Sequence, residues 1–254
     1  MKKVVFILFF LTTFLSADIY YPYRDEASPP IALAPDTSII CLGIKRTGST
    51  LIYNVIRYLF EEKMITQMNG TKIFKSHNLA STIKKMPLKK NIIICHSVRD
   101  PMDVLASHKN VNIDVKSVLF NPINLIPTKT KHLFKTLTFR YENFINDQFE
   151  YIYQVIEEGF KVTIPENAKR EVEKHFSLAA AKKIVSKLTN FSSTDPSTGI
   201  HGKHINNSSW EKSFTLKESL AFYKTYSSLR KELGYKDLNI EQMWQKANSH
   251  SIDN

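Results

Sequence analysis

The sequence predicts an α/β protein built on a parallel β-sheet flanked by helices, a three-layer sandwich with a helical C-terminal part. Three observations lead there. Short apolar runs bounded by turn formers, Ser38-Ile39-Ile40-Cys41-Leu42 and Asn91-Ile92-Ile93-Ile94-Cys95-His96-Ser97, suit strands buried on both faces. Stretches with helical spacing follow them, and that alternation builds parallel sheets with crossover helices. The junction between the first strand and the first helix is framed by Gly43 and Gly48, in the manner of a phosphate-binding loop.

The elements follow in order. Ser49 to Met64 is a helix that turns Leu51, Val55, Ile56, Leu59 and Phe60 towards one side. Thr71 to Lys75 is a second short strand, and Asn91 to Ser97 is the third. Pro101 suits a first helical turn, where its missing N–H costs nothing, and this helix runs to His108. Leu137 to Tyr141 is a fourth strand, and Ile145 to Glu158 is an amphipathic helix. The C-terminal third is helical over Glu166 to Phe176, Ala179 to Leu188 and Leu216 to Leu233. Between the last two, Asn190 to Ser209 is rich in Ser, Thr, Asn, Gly and Pro and reads as a long loop.

Ahead of the domain, Lys2 and Lys3 precede the apolar Val4 to Leu15 and the small residues Ser16 and Ala17. Residues 1–17 therefore read as a signal peptide, residues 18–37 as an irregular leader and residues 38–254 as one domain. The apolar stretch is about twelve residues, short of the roughly twenty that cross a bilayer. A secreted or extracytoplasmic protein is expected, with no stable membrane span after cleavage; the alternative is a lumenal protein anchored by residues 4–15.

At 43% hydrophobic, the chain of 254 residues can bury a large core, which excludes disorder as a whole. Its formal net charge of +11 favours anionic partners. The basic residues are scattered, without a zinc-finger, RNA-recognition or basic-zipper pattern, so nucleic acid is not expected. Cys41 and Cys95 fall inside apolar strands and read as buried free thiols, although an oxidising compartment would permit a bridge. Neither has metal-ligand spacing, and no metal is expected.

The segment Gly43-Ile44-Lys45-Arg46-Thr47-Gly48-Ser49-Thr50 joins strand to helix. Backbone N–H groups at a helix start, with the positive end of its dipole, attract anions. Gly48 admits a phosphate close to the backbone, and Ser49 and Thr50 add hydroxyls. The spacing is that of a nucleoside-triphosphatase loop, except that Ser49 stands at the lysine position. The third strand also ends without an acid to help hold Mg²⁺, so a kinase or other NTPase is disfavoured while phosphate binding is retained.

Lys45-Arg46-Thr47-Gly48-Ser49-Thr50 resembles the P-[KR]-S-G-T-T loop of sulfotransferases that use 3′-phosphoadenosine 5′-phosphosulfate (PAPS), the loop that grips the 5′-phosphosulfate. Arg99-Asp100-Pro101-Met102-Asp103-Val104-Leu105-Ala106-Ser107 is similar to that family's R-[DN]-P-x-D-x-x-x-S segment, which binds the 3′-phosphate. Phe74-Lys75-Ser76-His77 resembles its Lys-[ST]-His motif, whose histidine is the catalytic base. Arg140-Tyr141-Glu142-Asn143-Phe144 is similar to [RF]-Y-E-D-[LM], where the tyrosine approaches the adenine. Lys203 to Trp210, followed by Phe214-Thr215-Leu216, resembles the late R-K-G-x-x-G-D-W loop and its F-T-V tail, with Lys203 on the arginine. Departures include Leu51 in place of an adenine-stacking tryptophan, and Glu211 and Leu220 in place of the Lys and Glu of a dimerisation motif.

The resemblance implies a sulfotransferase with PAPS as co-substrate and a hydroxyl-bearing acceptor such as a glycan, phenol or tyrosyl peptide. His77 would be the base, and Arg46, with Lys45, would meet charge on the leaving phosphate oxygen. Lys45, Arg46, Thr47, Gly48, Ser49 and Thr50 would hold the 5′-phosphate, Arg99, Ser107 and Lys203 the 3′-phosphate, and Tyr141 the adenine. The rival readings are a non-catalytic secreted protein of this fold that binds nucleotides or anions, and the disfavoured P-loop kinase.

Overall fold

Residues 37–61, 71–79, 82–83, 91–110, 135–145, 147–187 and 209–249 are described by a computed structural model. The expected signal peptide, the leader up to residue 36, the end of the first helix beyond Glu61 and the loop over 190–208 lie outside the described residues. So do Leu188 and Lys203.

Four strands form one parallel sheet: β1 (Thr37–Gly43), β2 (Lys72–Ser76), β3 (Asn91–Val98) and β4 (Lys135–Arg140), in the order β2-β1-β3-β4. β1 is buried along its whole length, as its unbroken apolar run requires of a central strand. The chain leaves β1 towards β2 on one side, whereas β3 lies on the other. In open α/β sheets such a reversal marks the usual ligand position, beyond the carboxyl ends of the strands. The register aligns those ends: Leu42 pairs with Ser76, Gly43 with Ser97, and Val98 with Arg140.

Successive side chains of a strand point to opposite faces. Ile39, Cys41, Ile93, Cys95 and Phe139 therefore share one cluster with the helices α1 (Ser49–Glu61), α4 (Phe149–Phe160) and α5 (Glu166–Phe176). Ile40, Leu42 and Ile94 face the other way, with Leu79. In α1 the buried stripe is Ile52, Val55, Ile56, Leu59 and Phe60, and Leu51 lies at its half-buried edge. Full burial of each such aliphatic side chain contributes about 1.5–3 kcal/mol. Cys41 and Cys95 pair in register across β1 and β3 as free thiols, both buried; burial and the neighbouring Cys41 push the Cys95 thiol well above its ordinary value.

The remaining helices are α2 (Pro101–Lys109), α3 (Tyr141–Phe144), α6 (Leu178–Val185), α7 (Trp210–Ser213), α8 (Leu216–Glu232) and α9 (Ile240–Ser249). Met102, Leu105, Trp210, Phe214 and Ile240 form a second core that joins α2 to the C-terminal helices. α8 starts at a capping box, with Thr215 accepting from the Glu218 N–H and Glu218 accepting from the Thr215 N–H.

Three expectations need correction. β4 ends at Arg140, and Tyr141 opens α3 instead of closing the strand. The following helix begins at Phe149 and not at Ile145, because Asp147 adopts a left-handed φ of 64° and its carboxylate accepts the Leu178 N–H at 2.6 Å. The short α7 and the terminal α9 were not anticipated; both are fixed by contacts to α2 and α8 more than by their own length.

The C-terminal core is locked to the sheet by a buried ion pair. Arg230 donates from Nε to both Asp100 oxygens at 3.0 and 3.1 Å, and from Nη2 to Oδ2 at 2.8 Å. Its Nη1 donates to the Lys236 carbonyl at 2.9 Å. Asp100 Oδ1 also caps α2 by accepting the Met102 N–H at 2.9 Å. Removing one partner of a buried pair strands the other charge, a loss of about 3–5 kcal/mol. Arg230→Ala is expected to lower unfolding free energy by that amount in chemical denaturation. A loss below about 1 kcal/mol, the range of a surface pair, contradicts this account.

Candidate anion-binding site

The loop between β1 and α1 is shaped by crowding. A Cβ on Gly43 would lie 2.6 Å from Thr47 Oγ1 and 2.8 Å from Ser49 Cβ, so no side chain fits there. Gly48 takes φ +81°, and a Cβ on it would meet the Phe144 ring at 2.7 Å and Tyr141 at 2.9 Å. The Thr47 hydroxyl donates inward to the Ile44 carbonyl at 2.8 Å, and Ser97 Oγ on β3 donates to the Thr47 carbonyl. Ser97 thus occupies the β3 tip, where an NTPase would place its metal-holding acid, and braces the loop.

Arg46 has a left-handed φ of 79°, uncommon for a residue with a Cβ and costing on the order of 1–3 kcal/mol. It is held there from α2 and from the end of β3. Its Nε donates to Ser107 Oγ at 3.0 Å and its Nη2 to the Ser107 carbonyl at 3.4 Å, while Arg99 Nη1 donates to the Arg46 carbonyl at 3.3 Å. The Arg99 guanidinium stacks 4.2 Å above the centre of the Tyr141 ring. Burial, and then the neighbouring Arg99 charge, hold Arg46 below the ordinary arginine pKa. Two guanidinium groups are therefore gathered at one switch point, an arrangement that an anion with two or more charges relieves.

β2 contributes two further groups. Lys75 Nζ donates to Thr50 Oγ1 at 2.6 Å, which places a third cation beside the loop, and burial lowers its pKa. His77 lies 2.6 Å from the Gly43 carbonyl through Nδ1. A carbonyl only accepts, so Nδ1 carries the proton and Nε2 keeps its lone pair. Burial lowers the His77 pKa; Lys75 and Lys45 add to the shift and the Gly43 contact opposes it. The imidazole is neutral at pH 7 and, on Nε2, competent as a base.

Of the residues singled out from the sequence, the fold gathers Arg46, Thr47, Gly48, Ser49, Thr50, His77, Arg99, Ser107 and Tyr141 at the carboxyl ends of the strands, with Lys45 exposed at the loop tip. The sequence reading missed the brace from Ser97 and the cation of Lys75. Lys75 had a signal, since it precedes Ser76 and His77 in the same motif. Ser97 had none beyond its position at a strand end.

No family model matches the chain, and no curated protein matches it by sequence. Among solved structures, 41 chains match. One of these is the mouse sulfotransferase SULT7A1 complexed with PAP, with a TM-score of 0.50 and 13% identity over 84% of this chain and 89% of that one. At that identity the likeness establishes a sulfotransferase-like fold.

Asp103, within α2, accepts the Trp210 N–H at 3.1 Å. Burial lifts its pKa from the ordinary 3.8 to about 7, against the pull of Arg99. Between those values the native carboxyl is protonated and the unfolded one is ionised, so stability falls as pH rises through the window. Asp103→Asn keeps the oxygen that accepts from Trp210. It is expected to flatten this slope and to melt above wild type at pH 8, as read by thermal unfolding from pH 4 to 8. An unchanged slope contradicts the assignment.

Proposed function

We propose that the protein is a PAPS-dependent sulfotransferase that moves a sulfuryl group to an acceptor hydroxyl. The observation that carries the reading is the convergence at one switch point of the Arg46 and Arg99 guanidinium groups with a histidine whose free lone pair sits on Nε2. The fold-level likeness to a sulfotransferase complexed with PAP supports it.

In this reading the loop N–H groups from Gly48 to Thr50, with Lys45, Arg46 and Lys75, hold the 5′-phosphosulfate, while Thr47, whose N–H and hydroxyl both donate to the Ile44 carbonyl, shapes the loop. Arg99 and Ser107 hold the 3′-phosphate, Lys203 adds a further contact to it, and Tyr141 lies against the adenine. His77 Nε2 takes the proton of the acceptor hydroxyl as its oxygen attacks sulfur. The bond from sulfur to the 5′-phosphate oxygen breaks, and Arg46 and Lys45 meet the charge left on that oxygen. Preorganised positive charge and alignment supply most of the acceleration. The acceptor is a glycan, phenol or tyrosyl peptide. Export by the N-terminal segment belongs to the same proposal and requires that the donor be delivered to that compartment.

Calorimetry is expected to show 3′-phosphoadenosine 5′-phosphate (PAP) binding well above AMP without Mg²⁺. Losing a charge-assisted contact costs about 1.5–3 kcal/mol, so Arg99→Ala should weaken PAP by roughly one to two decades. Equal affinity for PAP and AMP sinks the 3′-phosphate assignment.

With labelled PAPS and a panel of acceptors, His77→Ala is expected to lower transfer by about 10²–10⁴-fold and leave PAP affinity nearly unchanged. The active form of His77 is neutral and its pKa lies below the ordinary 6.5, so the wild-type rate should hold at neutral pH and fall only at more acidic pH. A His77→Ala variant as fast as wild type places the base elsewhere.

A further inference from the structure

His108 follows Ser107 on α2 and is buried, with 4% of its surface exposed. Both of its ring nitrogens lack a hydrogen-bond partner among the described residues. An imidazole always carries at least one N–H, and leaving such a group unpaired inside a protein costs about 1–3 kcal/mol. Orphaned polar groups of this kind are rare in native interiors and call for an explanation. The surroundings of His108 are those of the phosphate loop. Its charged neighbours are Arg46 and Lys45, and the Lys45 backbone comes near the ring without reaching hydrogen-bonding geometry. Arg46, in turn, is bonded to the adjacent Ser107. His77 approaches the same loop from β2, through Gly43 and towards Lys45, so the two histidines flank the loop from opposite elements.

We propose that His108 is a further ligand-binding residue of this site, a neutral imidazole that donates its N–H to an oxygen of the anion held by the loop. This rests on the anion-binding reading of the site but not on transfer chemistry. Burial and the Arg46 charge push the His108 pKa down to about 4, so the ring stays neutral across the physiological range and adds a donor without adding a further cation to Lys45, Arg46, Lys75 and Arg99. A neutral imidazole held so by its surroundings can still polarise a ligand oxygen. The arrangement predicts a trade: the unpaired nitrogens lower stability in the free protein and are repaid by binding.

That trade separates a binding role from a packing role. His108→Leu removes the orphaned atoms at similar volume, so its melting temperature is expected to equal or exceed that of wild type. The same variant should bind PAP about two- to twelvefold more weakly, the worth of one neutral hydrogen bond. His108→Gln, which retains a neutral N–H donor, should recover part of that affinity. A Leu variant that binds PAP as wild type does, or a Gln variant no better than Leu, overturns the assignment. So does a lowered melting temperature with unchanged PAP binding, the mark of a packing histidine. Inorganic pyrophosphate is titrated in parallel. Wild type that binds pyrophosphate but not PAP refutes the nucleotide reading, while the Leu and Gln variants still decide the role of His108. Wild type that binds neither refutes both.

Discussion

The Asp100 carboxylate is the joint on which the molecule turns. It caps α2, grips Arg230 with both oxygens, and follows directly on Arg99 at the end of β3. Its own backbone N–H is bound by Glu142, which also accepts from the Tyr235 hydroxyl. One side chain and its peptide thus fix the start of the helix that carries Ser107 and His108, the turn that carries Tyr141, and the C-terminal segment. Arg140 repeats the link nearby by donating to the Leu233 carbonyl at 2.7 Å. Charged hydrogen bonds in such a dry setting are unforgiving of geometry, and that rigidity suits a site whose donors must point at one place.

What this frame holds in position is itself unfavourable. Arg46 sits at a left-handed φ beside a second guanidinium, Lys75 is half-buried at the loop, and His108 keeps two nitrogens unpaired among the described residues. Each feature lowers the stability of the free protein, and all four groups surround the same short loop. Strain and unpaired polarity gathered at one place are typical of functional sites. The hydrogen-bonded frame around Asp100 and the apolar cores on either side offset the cost.

The sheet and the loop were legible because their signals are local. A short unbroken apolar run bounded by turn formers marks a doubly covered strand, and the Gly43–Gly48 spacing encodes a tight turn that the backbone makes by itself. Arg99 and Ser107 were legible for the same reason, as two residues on one short strand-to-helix segment. Tyr141 was placed one element too early, because the sequence does not mark where β4 stops pairing. The Asp100–Arg230 pair joins residues 130 positions apart and left no trace in spacing. Ser97 and His108 were invisible in their roles for a related reason: what matters about each is the backbone it meets, or fails to meet, across the fold.

The 130-residue separation has a consequence for how the chain comes into being. Long-range closures are the slow steps of folding, because the ordering cost falls before the contact rewards it. During synthesis from the N-terminus, β1, the loop, β3 and α2 all exist well before Arg230 is made. Until then Asp100 lacks its guanidinium partner, and the start of α2 is not yet tied to the C-terminal core. The frame around α2 is therefore completed only in the finished chain: a nascent or truncated polypeptide would carry every loop residue and still lack the contact that ties the start of α2 to the C-terminal core.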